Sequence, residues 1–266
     1  MRTQEKRATR FRSIQTSLLF VIVPAVIISM AVLSLMGYLS SKAIIQTSAG
    51  TEMSQCLSVA MGSIEMSLSN NRMVAETMAR GVEAIQRQAV KGDQTASDWD
   101  AAAYQEILTS FVGSNPETFG GGIWFEPYQY RPEQRYFSPY CMRQNGAVTY
   151  VDNYSLGEGV YYTDQDWYTN AANTTQKSVW SAPYYDEFAQ ISMVTSSAPI
   201  YDETGRLLGV ATADIDLTQM QQMVLSLDVV ANGRAFLIDD TGVYIADEDS
   251  EKLLSANILE DDNPSF

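Results

Sequence analysis

The sequence predicts an α+β protein: an N-terminal transmembrane helix, a long helix, an antiparallel-sheet domain, and the start of a second, smaller sheet. Three observations predict it. An apolar run from Thr16 to Leu39 follows the basic residues Arg2, Lys6, Arg7, Arg10 and Arg12. From Ser40 to about Val90, apolar residues recur at helical spacing without a single proline. Beyond Gly120 the pattern turns strand-like and is punctuated by Asn-Gly and Asp-Glu-Thr-Gly turns.

The apolar run comes first. Two dozen helical residues extend roughly 36 Å, enough to cross a hydrocarbon core about 30 Å thick. The basic tail is expected to stay in the cytoplasm and to send everything after Leu39 outside. A cleaved signal peptide is the competing reading. Its apolar stretch is about 7–15 residues, shorter than this one, so an uncleaved anchor is the better fit. Pro24 lies inside the span, which membrane helices tolerate.

The long helix follows. Met53, Leu57, Ala60, Ile64, Leu68, Val74, Met78, Val82 and Ile85 form a narrow apolar seam, the pattern of a helix that pairs with a copy of itself. A homodimer through this helix is therefore expected. Lys91-Gly92-Asp93-Gln94-Thr95 interrupts the pattern, and a second helix is expected from Ser97, as cap, to Val112.

Strands come next. Gly122–Glu126 reads as a strand ended by Pro127, and Gly120-Gly121-Gly122 as a flexible lead-in to it rather than a phosphate cradle, since no GK[ST] follows. Arg135–Arg143 and Ala147–Val151 form a hairpin around Asn145-Gly146. Ser178-Val179-Trp180 opens another strand, and Ile191–Tyr201 pairs with Arg206–Ile215 across Asp202–Gly205. Gln219–Leu227 reads as a short helix and Asn232-Gly233 as a turn. Ala235–Ile238 and Val243–Ala246 read as a last hairpin, too little to bury a core alone.

Composition removes several chemistries. There is no histidine, hence no Ser-His-Asp triad and no His-ligated metal. Cys56 and Cys141 are the only cysteines, too few for a disulfide framework, though a bridge between them stays open. The net formal charge is −15 although the first twelve residues are basic, so the remainder is strongly acidic and repels nucleic acid. Asp239-Asp240 and Asp247-Glu248-Asp249 lack EF-hand spacing and read as solvated turns. No catalytic group, metal or cofactor is expected.

One cluster points to a ligand. Tyr161, Tyr162, Trp167, Tyr168, Tyr184 and Tyr185 keep company with Asp164, Asp166, Asp186 and Asp214, and no basic residue lies between Arg143 and Lys177. Aromatic faces and carboxylates together suit an ammonium or quaternary amine. Trp180 and Tyr201 are expected to pack the sheet instead.

Four blocks carry a family resemblance: Asp166-Trp167-Tyr168, Trp180–Asp186, Ala198-Pro199-Ile200-Tyr201 and Gly209–Leu217. Their order and spacing resemble the double Cache (dCache) extracellular sensor module, most of all that of methyl-accepting chemotaxis proteins. The resemblance implies two PAS-like antiparallel-sheet subdomains, the second incomplete here. The domains it implies are a cytoplasmic tail (1–13), a transmembrane helix (14–39) and a long extracytoplasmic helix (40–92). A membrane-distal sheet holding the ligand (93–218) and the start of a membrane-proximal one (219–266) follow. It also implies a plasma-membrane receptor with no enzymatic activity of its own, signalling to cytoplasmic partners through regions beyond this chain; a histidine kinase or diguanylate cyclase output is the alternative.

The resemblance also assigns roles. Family members that bind amino acids hold the carboxylate with an Arg two positions before the Trp, and the ammonium with two Asp residues. Trp167, Tyr168, Tyr184, Asp186 and Asp214 match, but Gln165 stands where the Arg would be and acidic Asp166 follows. Losing a guanidinium fork forfeits roughly 2–3 kcal/mol or more of carboxylate binding. The candidate ligand residues are therefore Tyr162, Asp166, Trp167, Tyr168, Tyr184, Asp186 and Asp214, and the expected ligand is an amine or an amino-acid-like molecule.

Overall fold

The computed structural model describes residues 14–91, 101–151, 154, 159–227 and 233–260. The chain divides into two compact units, Met1–Gln55 and Cys56–Phe266. Helix α1 spans Ile14–Lys91 without a break, Pro24 included. In the first unit its apolar side chains, Phe20, Val21, Ile27, Leu33 and Met36 among them, are exposed all round, as a lipid-facing helix requires. Among the described residues this is the one helix long and apolar enough to cross a membrane. Ser29 turns its hydroxyl back onto the Ala25 carbonyl at 2.8 Å, so the helix satisfies the polar group by itself.

The second unit is built on a seven-stranded antiparallel sheet. Its strands are β1 (Gly120–Phe125), β2 (Tyr140–Gln144), β3 (Ala147–Val151), β4 (Val179–Trp180), β5 (Tyr184–Asp186), β6 (Ile191–Tyr201) and β7 (Leu207–Asp216). The order is β3-β2-β1-β7-β6-β4, with β5 also paired to β6. Side chains alternate between faces, so each strand sends one set to each layer. One face receives Ile123, Phe125, Cys141, Ala198, Ile200, Ala211 and Ala213. It packs on Val74, Met78 and Val82 of α1 and on Tyr104, Leu108 and Val112 of α2 (Ala101–Ser114). The other face carries the candidate site.

The seam of α1 is thus divided. Val74, Met78, Val82 and Ile85 are buried within the chain's own core, whereas Met53 and Leu57 are exposed. The expectation that the whole seam meets a second copy is corrected for its C-terminal part: an open sheet needs a cover, and this stretch supplies it. Asn71 fixes the junction, its buried side-chain oxygen accepting from the Thr118 hydroxyl at 2.8 Å.

Other expectations are met or adjusted locally. Asn145 and Gly146 both have positive φ, the conformation a two-residue hairpin turn demands. Gly120-Gly121-Gly122 is no lead-in: all three residues are buried within β1. The second helix ends where Arg143 of β2 donates to the carbonyls of Val112, Asn115 and Thr118 at 2.5, 3.0 and 2.9 Å, satisfying groups that a helix end leaves free. Its expected Ser97 cap lies outside the described residues, as does Asn232. Cys56 and Cys141 are both free.

After β7, Asp216 caps α4 (Leu217–Leu225) through the Thr218 amide at 2.8 Å. A two-stranded sheet follows, β8 (Leu237–Ile238) with β9 (Tyr244–Ala246). Asp239 bonds to the backbone of Thr241 and Val243, a turn as expected. Asp247 departs from the solvated-turn reading: it is fully buried and paired with Arg234 at 2.8 Å.

Candidate functional site

The register of the sheet assembles the site. Asp214 of β7 stands opposite Gly120 of β1 and Thr195 of β6, and Thr212 stands opposite Gly122 and Ser197. Glycine on β1 is what lets large rings lie over it. A Cβ on Gly122 would fall 2.6 Å from the Trp124 ring, so only hydrogen at that position admits the indole. Trp124 is held there by its ring N–H, which donates to the Thr212 hydroxyl at 2.8 Å.

Trp124, Trp167, Tyr140, Tyr154 and Tyr184 enclose a small cavity whose floor is Met193, Thr195, Thr212 and Asp214, with Asp186 at its side. The free space is about 10 Å³, room for no more than one water. Trp124 and Trp167 pack with ring centres 4.8 Å apart, and Tyr154 meets Trp124 edge-on at 5.1 Å. Trp167 reaches this wall from α3 (Asp166–Ala172), a short helix set beneath the sheet.

Both carboxylates are buried, Asp214 at 3% exposure and Asp186 at 5%. Asp214 accepts from the hydroxyls of Tyr140 and Thr195, each at 2.8 Å. Asp186 accepts from the Tyr154 hydroxyl and, at 2.7 Å, from the Ala189 backbone N–H. Thr195 and Tyr184 share a further hydrogen bond of 2.8 Å in which either oxygen can donate. None of the residues lining the cavity is cationic.

That composition shows in the ionisation of the groups. Burial lifts the Asp214 carboxyl from 3.8 to about 7 and Asp186 adds repulsion, against hydrogen bonds from Tyr140 and Thr195 that lower it. Burial likewise pushes the Tyr140, Tyr154 and Tyr184 phenols up, and the neighbouring carboxylates push them further. The site is an aromatic box that concentrates negative charge and supplies no positive counterpart.

The structure brings Trp167, Tyr184, Asp186 and Asp214 together in this cavity. The other three candidate residues lie apart from its lining. Tyr162 is buried behind Trp124, with ring centres 5.5 Å apart, and its hydroxyl donates to the Phe125 carbonyl at 2.5 Å. Tyr168 donates to Glu126 at 2.7 Å. Asp166 is exposed in the first turn of α3. Gln165, in the position of the family's arginine, is half-buried and points its amide toward the Tyr161 carbonyl at 3.5 Å.

Sequence reasoning missed Trp124, Tyr140, Tyr154, Thr195 and Thr212. It also looked for cations only between Arg143 and Lys177, whereas Arg135 lies over the rings of Tyr136 and Tyr161 at 4.9 and 5.6 Å. Small residues along β1 opposite polar residues on β7 were the available signal. Reading it needed the strand pairing.

Residues 104–222 match the family described as methyl-accepting chemotaxis protein-like, first PDC sensor domain. A methyl-accepting chemotaxis protein of Pseudomonas putida, McpA, is 24% identical over 208 residues, 76% of this chain and 31% of that protein. The chain spans less than a third of the length of the curated chemoreceptors that it matches. Among solved structures, the extracellular domain of the candidate histidine kinase mmHK1S-Z2 superposes with a TM-score of 0.61 at 21% identity, covering 75% of this chain and 73% of that one. The ligand-binding domain of the Campylobacter jejuni chemoreceptor Tlp3, solved with L-valine, gives a TM-score of 0.55 at 17% identity, covering 80% and 72%. The match and these superpositions identify a chemoreceptor-type Cache (PDC) sensor fold.

Proposed function

We propose, from the premise that residues 104–222 form a PDC sensor domain of the chemoreceptor kind, that this chain is the extracytoplasmic ligand-sensing region of a transmembrane chemoreceptor. In this reading the basic tail is cytoplasmic, α1 crosses the membrane once, and the sheet faces outside. The domain boundaries given by the sequence (1–13, 14–39, 40–92, 93–218 and 219–266) follow from it. In this reading, which the chemoreceptor relatives support, the protein binds its ligand without chemistry.

The observation that carries the ligand class is the pairing of two buried carboxylates with an aromatic wall and no cation in the lining. An ammonium group satisfies both features, through ion pairing and through the ring faces. Tlp3 was solved with L-valine, a zwitterion, but at the position where the resemblance places the carboxylate grip this chain has Gln165, followed by Asp166, and neither carries positive charge. An amine or another organic cation therefore fits better than an α-amino acid. The cavity must open to admit it, and a ligand favouring the opened state shifts the sheet against α1 and passes the signal inward. Exposed Met53 and Leu57 are the part of the α1 seam left for a second copy, through which the receptor would dimerise.

Calorimetry with matched pairs tests the assignment: an amino acid and the amine left when its carboxylate is removed. Binding of the amine alone supports it, and tight binding of the amino acid alone overturns it. The second reading is the same sensor joined to a kinase or cyclase output; mmHK1S-Z2, which shares the fold, is the extracellular domain of a candidate histidine kinase. Sequence following Phe266 decides between a catalytic domain and a long helical hairpin.

A further inference from the structure

Two carboxylates share a small, buried cavity with no opposing charge, and two like charges so placed rarely both persist. One proton relieves the repulsion, and the hydrogen bonds say where it goes. Asp186 accepts from the Ala189 backbone N–H, a donor that cannot turn round. Asp214 has only hydroxyl partners, Tyr140 and Thr195. A hydroxyl can reverse: Thr195 Oγ can accept from a protonated Asp214 and donate onward to Tyr184, whose bond to Thr195 runs in either direction. The Tyr184 hydroxyl is buried in the same cavity, on a residue whose remainder is half-buried, so the path continues outward once the cavity opens. The ionisable groups facing Asp214 are Tyr140 from β2, Tyr184 and Asp186 from β5, and Tyr154, which bonds to Asp186. All of them are acids, so none can donate positive charge in place of a proton.

We infer that the site exchanges a proton for its ligand: the closed, empty cavity holds a proton on Asp214, and an arriving cation expels it along Thr195 and Tyr184. This rests on the cation reading and adds its regulation. The step balances. The Asp214 O–H bond breaks, its proton moves to Thr195 Oγ, that of Thr195 to Tyr184 Oη, and that of Tyr184 to a water admitted as the cavity opens. The cation keeps its own protons, so one H⁺ leaves for each cation bound. Affinity then climbs about tenfold per pH unit while Asp214 is protonated in the empty site. Burial supports the assignment, since it raises the carboxyl toward neutrality.

The test uses the full chain in detergent micelles and needs no ligand for its first arm. Infrared difference spectra between about pH 5 and pH 8 should show a buried carboxylic-acid carbonyl band that disappears on deprotonation and is absent from Asp214→Asn. No such band overturns the proposal whether or not any cation binds. The second arm is calorimetry with n-propylammonium and tetramethylammonium in buffers of different ionisation enthalpy. Near pH 6, release of about one proton per cation is expected. Binding with no proton released overturns the exchange and leaves the cation reading standing. No binding of either probe, with the acid band present, overturns the cation reading and with it the exchange, while the proton on Asp214 stands.

Discussion

The hydroxyl of Tyr140 occupies the space in which a side chain at Gly120 would begin: a Cβ there would lie 2.1 Å from it. The glycine is therefore part of the site although it touches nothing that could be bound. Gly120→Ala must push the phenol away and break its 2.8 Å bond to Asp214. The expected outcome is loss of about 1–3 kcal/mol of stability, the usual cost of overpacking, measured by denaturant unfolding. Ligand affinity should fall with it. An unchanged midpoint and unchanged affinity would show that the ring can move freely.

Asp214 makes the stability of the sheet depend on pH. Its folded pKa of about 7 lies above the ordinary 3.8, so the folded state holds the proton more tightly. The contribution is fully present below about pH 4 and is lost as pH rises through about 7. Thermal midpoints of the wild type should decline over that window relative to Asp214→Asn. Parallel curves would place the proton elsewhere.

Binding should depend on the same residue in another way. Asp214→Ala removes one of two buried carboxylates, and a desolvated charge contact is worth several kcal/mol. Titration calorimetry with an amine should then detect nothing at ordinary concentrations. Gln165→Arg restores a guanidinium beside the Trp167-Tyr168 pair and should turn preference toward amino acids. A variant that still prefers the amine would place the carboxylate grip at another residue.

The divided seam predicts a divided crosslinking pattern. Single cysteines at Met53 and Leu57, in a background lacking Cys56 and Cys141, should join two copies in oxidised membranes. Cysteines at Val74, Met78 and Val82 should not, because those positions face the chain's own core. Equal crosslinking along the whole helix would contradict the burial of its second half.

Arg143 offers a test of the scaffold alone. Its guanidinium donates to three backbone carbonyls, those of Val112 in the last turn of α2 and of Asn115 and Thr118 in the loop after it. Arg143→Ala should cost about 2–3 kcal/mol, in keeping with hydrogen bonds to a charged group. Arg143→Lys should recover only part of it, since one ammonium cannot span all three carbonyls. Equal stability of the Ala and Lys variants would assign the loss to packing.

Much of the architecture was legible because turns and periods are local. Asn145-Gly146 and Asp202–Gly205 announce their hairpins through residues that tolerate positive φ, and Gly146 and Gly205 adopt it. The helical period of α1 is equally local. The faces were harder. Gly120-Gly121-Gly122 reads as a loop by propensity, and only the pairing of β1 with β7 shows why a central strand needs glycine there. Trp167 and Asp214 were identifiable as candidates, but Tyr140, Tyr154 and Trp124 reach the same cavity from separate segments. Asp166 and Tyr168 were grouped with Trp167 through the family block that the three residues form. Successive helical residues point in different directions, and here one faces solvent while the other packs against Glu126.

Val74, Ala75, Met78, Ala79 and Val82 of α1 are core residues of the sheet, and the helix is tied to it further by Asn71 and Thr118. For anyone recombining receptors, this fixes where the chain can be cut. A graft that takes the strands and leaves the helix behind would expose the α1-facing side of β1 and β7 and discard five buried side chains that cover it. The exchangeable module begins before Ala60, which is buried, and Ile64, which packs with Leu68 against Val194 and Ile215. A junction placed there carries the helix with its sheet, so hybrids spliced upstream of it should fold and those spliced at Lys91 should aggregate.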